Sequence, residues 1–255
     1  MISIDLNADV GEGFGPWSLG DDDESLFSTV TSVNIACGFH AGDPRVMDRA
    51  VSRAVRSGAA IGAHPGYWDL RGFGRREMKA EPGEVENDVL YQVGALAAFA
   101  RSHGVRLVHV KPHGALYSQA ARDAVLAGAI ARGVRRADER LFLVGLASSE
   151  VMRRAAEDAG LRFAGEAFAD RSYEADGALR SRGEAGAVLS DPEAAARQAV
   201  RLAREGRVTT HDGREVALRA ETLCIHGDTP GAAMIARAVR DALEAAGVAL
   251  RPLTH

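Results

Sequence analysis

Cysteine is nearly missing from this chain of 255 residues: Cys37 and Cys224 are the only two. Two thiols cannot build the disulfide framework of a small secreted domain, so a reducing, cytoplasmic setting is expected. Lysine is equally scarce. Of 31 Lys and Arg residues, only Lys79 and Lys111 are lysines. Asparagine is confined to Asn7, Asn34 and Asn87, and glutamine to Gln92, Gln119 and Gln198. Such a bias fits a GC-rich genome or a hot habitat, where thermolabile residues are fewer. Positions that keep Lys or Asn against it therefore stand out, and Lys111, Asn7 and Asn34 all fall in the motifs below. No apolar run approaches the roughly 18 residues of a membrane span. The opening Met1-Ile2-Ser3-Ile4-Asp5 reads as a strand, with neither the basic nor the apolar region of a secretory signal. A net charge of −4 and a pI near 6.1 give no basic face for nucleic acid. Two motifs are absent as well: the phosphate-cradling GxxxxGK[ST] loop, and any His-Glu-x-x-His metal spacing. The glycine-rich stretch 11–20 does not match the former.

What is present is alternation. Short apolar runs at 2–7, 30–37, 59–63, 107–111, 141–145, 162–166 and 222–226 alternate with stretches of helical periodicity. Helices are expected to follow Asp43-Pro44, to fill most of 82–103, and to span 120–136, 149–159 and 190–205, with another closing the chain. Asp21-Asp22-Asp23-Glu24 and Thr229-Pro230 are further helix-start signals. His211-Asp212-Gly213, set between β-formers at 208–216, predicts a hairpin. Six or seven β/α units argue for one domain over 1–255 with a parallel sheet. Periodicity does not choose between a closed barrel and an open doubly wound sheet.

The polar residues cluster by position. Asp5, Asn7, Asp9 and Glu12 follow or end the first strand; Asn34, His40 and Asp43 follow the second. His64 follows the third, Lys111 and His113 the fourth, Glu166, Asp170 and Arg171 the sixth, and His226 and Asp228 the last. In a parallel α/β fold all strand C-termini open on one face, and that face carries the chemistry. Single residues keep plain readings. His103, His211 and His255 look like helix-end, hairpin and terminal residues, and His109 a structural residue within a strand. Cys37 is a nucleophile or an ordinary buried thiol. Arg75 and Arg76 grip an anion or are solvated. The Asp9/His40/His64 material suits metal ligation, acid–base catalysis or substrate orientation.

Six segments carry a family resemblance: DLNADVGEGFG (5–15), SVNIACGFHAGDP (32–44), IGAHPGYWDLRGFGRR (61–76), VKPHGALY (110–117), EAFADRSYEADGALRSR (166–182) and CIHGDTPGA (224–232). Together they resemble the family of 5-oxoprolinase A subunits, also called LamB/YcsF, with Trp68 where proline is more usual. The resemblance implies an irregular barrel of about seven parallel strands, similar to carbohydrate deacetylases. It also implies ATP-coupled cleavage of 5-oxo-L-proline to L-glutamate, with partner subunits B and C and magnesium accompanying ATP. On that basis Asp9 and His64 are candidate bases, and His40 and His113 candidate proton donors or oxyanion stabilisers. Lys111 and Arg171, with Arg75 and Arg76, are candidate phosphate ligands. Asn7, Glu12, Asn34, Glu166, Asp170, Arg171, His226 and Asp228 are candidate substrate contacts. Two alternatives stand beside this: a self-sufficient metal-dependent hydrolase with Asp9, His40 and His64 as ligands, and a non-catalytic carrier of the lactam.

Overall fold

The computed structural model describes residues 2–17, 24–225 and 231–254. Seven parallel strands, β1 (Ser3–Val10), β2 (Ser32–Ala36), β3 (Ala60–His64), β4 (Leu107–Val110), β5 (Phe142–Leu146), β6 (Arg162–Phe168) and β9 (Thr222–Ile225), pair in that order. β9 bonds to β6 on one side and to β1 on the other, so the sheet closes into a barrel. The antiparallel pair β7 (Arg207–Thr209) and β8 (Glu215–Ala217) is the expected hairpin, outside the barrel. A short β10 (Ala249–Leu250), not anticipated, lies parallel to the start of β1.

Helices wrap the outside: α1 (Glu24–Thr29), α2 (Pro44–Ser57), α3 (Pro82–Ser102), α4 (Gly114–Ala120), α5 (Ala124–Ala137), α6 (Glu150–Asp158), α7 (Pro192–Glu205) and α8 (Ala232–Ala245). Asp43 caps α2 as its sequence promised, accepting from the amides of Arg45 and Val46, and Pro44 occupies the first turn. The expected helix over 120–136 is α5, capped by Asp123, and a further short helix, α4, precedes it. Seven residues headed by glycine show too little periodicity for α4 to be read. The signals at Asp21–Asp23 and Thr229-Pro230 lie outside the described residues.

The strand alternation sorts side chains into two environments. On β1, Ile4, Leu6, Ala8 and Val10 join the main apolar core between strands and helices. Asp5, Asn7 and Asp9 are just as buried but point the other way, into the barrel. A β/α barrel interior is ordinarily filled by layers of Val, Ile and Leu. This one is filled on one side by polar side chains. Buried polar groups are costly unless bonded, so their partners define the site.

Candidate active site at the barrel mouth

The interior bonds run as one chain around the barrel. His109 Nε2 lies 2.6 Å from Asn34 Oδ1. Asn34 Nδ2 donates to Asn7 Oδ1 at 2.7 Å and to Asp9 Oδ1 at 2.8 Å. Asn7 Nδ2 donates to Glu166 Oε1 at 3.1 Å and to Thr222 Oγ1 at 2.7 Å. Thr222 donates to Asp5 Oδ2 at 2.6 Å, and Thr31 and Ser32 also donate to Asp5. An acceptor-only oxygen at each step fixes the donor at the next, so His109 carries its proton on Nε2. Burial, with help from the Lys111 charge, lowers the His109 pKa to about 3, so it is a neutral donor. Gly62, the register partner of His109, makes room for the ring: a Cβ there would collide with Nε2.

Lys111 is the cation of this network. Its Nζ lies 2.9 Å from Asp9 Oδ1, 2.9 Å from Glu166 Oε1 and 3.0 Å from Cys224 Sγ. Burial pulls the ammonium down, but Asp9 and Glu166 outweigh it, and Lys111 stays charged well above the ordinary lysine range. Burial pushes the Cys224 thiol well up, so it faces Lys111 as a neutral group.

The other oxygen of Asp9 looks toward a histidine cluster: Oδ2 is 3.5 Å from His64 Nε2. His64 Nδ1 is 2.7 Å from the Lys111 carbonyl, and His113 Nε2 is 2.9 Å from the Phe73 carbonyl. Carbonyls only accept, so both of those nitrogens carry protons. The remaining nitrogens, His64 Nε2 and His113 Nδ1, then face each other with lone pairs at 2.9 Å. Glu12 Oε1 is 3.4 Å from His113 Nδ1 and 3.8 Å from His40 Nε2. His40 stacks on His113 at 3.8 Å, and neither of its ring nitrogens has a hydrogen-bond partner among the described residues. Burial and the neighbouring His64 hold His40 well below its ordinary pKa; burial and His40 do the same for His113. Electron pairs thus converge with no donor between them. Only a shared proton or a metal ion satisfies the arrangement. One donor atom each from Glu12, His40, His64 and His113 falls within 4.8 Å of the others, a group that can hold a metal. Asp9, a possible ligand in the metal-dependent alternative, binds Lys111 and Asn34 through one oxygen and faces this group with the other.

Glycines let the loops close over the cluster. A Cβ on Gly66 would fall 2.6 Å from His40 Nδ1, and one on Gly74 2.8 Å from His40 Cβ. The mouth itself is a cavity of about 430 Å³, floored by Asp9, Glu12, His64, Lys111 and His113. Arg75, Arg171, Arg180 and Arg182 stand around it. Arg171 is braced by the carbonyls of Ala187 and Arg180. Asp170 is buried beside it and offsets part of its charge. Arg76 turns elsewhere, pairing with Asp69, and does not line the cavity. Cys37 lies in the main core with its thiol pushed up to about 12 by burial, unsuited to a nucleophile. His103 bonds Asp48 at the surface, away from the mouth. His226 and Asp228 lie outside the described residues. Thr222, Cys224 and Tyr117 join the site without having stood out in the sequence, and His109, expected to be structural, braces Asn34 within the same network. The missed signal is period two: His109 shares a face with Lys111, and Thr222 with Cys224.

The molecule is therefore a closed parallel β/α barrel with an ion-paired polar interior and a buried carboxylate–histidine centre at its C-terminal mouth. Residues 4–255 match the model of the LamB/YcsF family, and the chain belongs to that family. The 5-oxoprolinase A subunit of Methylococcus capsulatus is 55% identical over 251 residues, 98% of this chain and 96% of that protein. Its counterpart in Heliobacterium modesticaldum is 54% identical over 250 residues, 98% of both chains. The crystal structure of a lactam utilization protein from Thermus thermophilus superposes with a TM-score of 0.93 at 51% identity, covering 99% of this chain and 100% of that one. The T48 deacetylase shares the fold at a TM-score of 0.53 and 14% identity, covering 98% of this chain and 87% of its own.

Proposed function

We propose that this chain is the A subunit of an ATP-dependent 5-oxoprolinase, which opens 5-oxo-L-proline to L-glutamate in the cytoplasm together with subunits B and C. The name shared by its relatives supports this reading, and one observation carries it. Asp9 spans the Lys111 ammonium and the His64 imidazole on the floor of an arginine-rimmed cavity. Lactam opening needs that pairing. A cation must meet the charge that develops on the carbonyl oxygen, and a base must take a proton from the attacking water.

In this mechanism Lys111 sits at the carbonyl oxygen, and Asp9, whose second oxygen faces His64, receives the water proton as oxygen bonds to the ring carbon. The C–N bond then breaks, and the departing nitrogen takes up the proton that was received from water. Asn7 and Asn34 hold Asp9 and Glu166 in place. A five-membered lactam recloses readily, so activation of the amide by ATP, carried as its magnesium complex, drives the opening. Arg171 and Arg75 suit the phosphate this introduces. The Glu12/His40/His64/His113 group fits a borderline divalent ion such as zinc better than oxygen-seeking magnesium. When bound, such an ion would supply Lewis acidity to water or to the carbonyl.

Glutamate release from 5-oxoproline and ATP by the reconstituted A/B/C complex tests the assignment. Asp9→Ala and His64→Ala are each expected to abolish it, and full turnover in either sinks the scheme. The buried histidine group also favours a second reading, a self-sufficient metal-dependent hydrolase. Turnover by the isolated chain that is lost to a chelator and restored by a divalent ion would replace the first reading with it.

A further inference from the structure

A second apolar cluster lies inside the barrel mouth, separate from the main core. It groups Tyr117, Leu146, Phe168 and Cys224, with Leu179 packed against it. Tyr117, Phe168 and Leu179 line the cavity beside Lys111. The Phe168 ring is 5.3 Å from Lys111 Nζ and stands edge-on to Tyr117 at 6.2 Å. Two buried polar atoms in this corner have no hydrogen-bond partner among the described residues: the Tyr117 hydroxyl and Glu166 Oε2. The other Glu166 oxygen is already held by Lys111 and Asn7. The two groups adjoin, and the Glu166 carboxylate acts on the phenol as a hydrogen-bond partner, although no bond of good geometry reaches either atom among the described residues. Burial, and then the Glu166 charge, hold the phenol well above its ordinary pKa, so it keeps its proton.

A hydroxyl donor beside a carboxylate acceptor, next to an apolar wall, is a two-point receptor. Its complement presents an acceptor and a donor on one edge. A linear secondary amide does not, because its N–H and C=O point in opposite directions in the trans form, and the cis form costs about 2.5–4 kcal/mol. A small lactam is locked cis by its ring and presents both groups together.

We infer that Tyr117 and Glu166 read the cis amide of the substrate: Tyr117 donates to the ring carbonyl, Glu166 Oε2 accepts from the ring N–H, and Phe168 and Leu179 pack the ring methylenes. The inference rests on the lactam-opening function proposed above and names the feature that separates lactams from linear amides. It places the carbonyl oxygen between Tyr117 and Lys111, with its carbon facing Asp9 and His64.

The test is calorimetric titration of the full chain, alone and with its partner subunits. The ligands are 5-oxoproline, the isosteric lactone 5-oxotetrahydrofuran-2-carboxylate, which has ring oxygen for N–H, and N-acetylglycine, a linear trans amide. On the unaltered chain 5-oxoproline should bind at least about tenfold more tightly than either analogue, the scale expected when a buried partner is left unpaired. Tyr117→Phe should weaken 5-oxoproline about tenfold and narrow its margin over N-acetylglycine, while melting near the parent temperature. Equal affinity for lactam and lactone overturns the inference without any variant being needed. A native-like Tyr117→Phe that discriminates fully overturns it as well. Glutamate release by the reconstituted complex reads the underlying function separately. Turnover without discrimination removes the subsite alone, whereas absence of both binding and turnover removes both.

Discussion

Replacing Lys111 by methionine tests the idea that the barrel interior is held by balanced charge. The substitution keeps most of the side-chain volume and deletes the ammonium. Asp9 and Glu166 would then face each other across the barrel without the cation that now lies 2.9 Å from each. Breaking a buried pair by removing one partner costs about 3–5 kcal/mol, because the remaining charge stays desolvated. For a domain of this size that corresponds to a melting temperature roughly 6–20 °C lower. Arg56→Met supplies the contrast. Its pair with Glu24 is solvent-exposed, and its loss should cost less than about 1 kcal/mol. Urea denaturation and thermal melts of both variants give the comparison. Glu166→Gln in the Lys111→Met background should recover stability, with a coupling of about 0.5–3 kcal/mol in the double-mutant cycle. If Lys111→Met melts within a degree or two of the parent, or the two changes are additive, the charge-balance argument is wrong.

Other consequences follow from the same geometry. Glu12→Gln and His40→Asn should each lower the zinc stoichiometry measured by metal analysis, and chelation should lower the melting temperature of the parent but not of either variant. Gly62→Ala should destabilise by about 1–3 kcal/mol and displace His109 from Asn34, visible as a changed imidazole nitrogen resonance. At Asp43, burial works against the charge, but the amides of Gly15, Val46 and Arg45 outweigh it and hold the carboxyl below its ordinary pKa. A depressed pKa stabilises the fold above the unfolded value and loses that contribution as pH falls through the folded one. Asp43→Ala should therefore cost about 1 kcal/mol near neutrality, a deficit in urea denaturation that shrinks below about pH 4.

Much of this was legible in the residues. The seven barrel strands fall within a few residues of the apolar runs, because alternation and length constrain a buried parallel strand tightly. The mouth was legible for the same reason: Asp9, His64, Lys111, His113 and Glu166 sit at or just past strand ends. Closure was not legible in periodicity, since no local pattern encodes the pairing of β1 with the distant β9; it was implied by the family resemblance, and the structure bears it out. The inward reach of the polar network was not legible either. His109 and Thr222 lie within their strands, where single polar residues look incidental until the barrel brings them into line. Arg76 shows the converse: it sits next to Arg75 in sequence, but a local turn gives it to Asp69.

The seam between β1 and β9 has a further consequence, in the order of events during synthesis. Asp5 and Asn7 leave the ribosome long before Thr222, yet both bond to it, 217 and 215 residues later. Until that segment arrives, β1 has one unpaired edge, and water stands in for the Thr222 hydroxyl at Asp5 and Asn7. The polar site at the mouth is thus completed only when β9, the last of the seven barrel strands, is made. A truncated or stalled product would be a half-barrel with a wet, unpaired flank and no working site. A circular permutant opened at a surface loop, with β9 linked directly ahead of β1, would turn this late, distant closure into an early, local one. The permuted protein should fold faster to the same barrel.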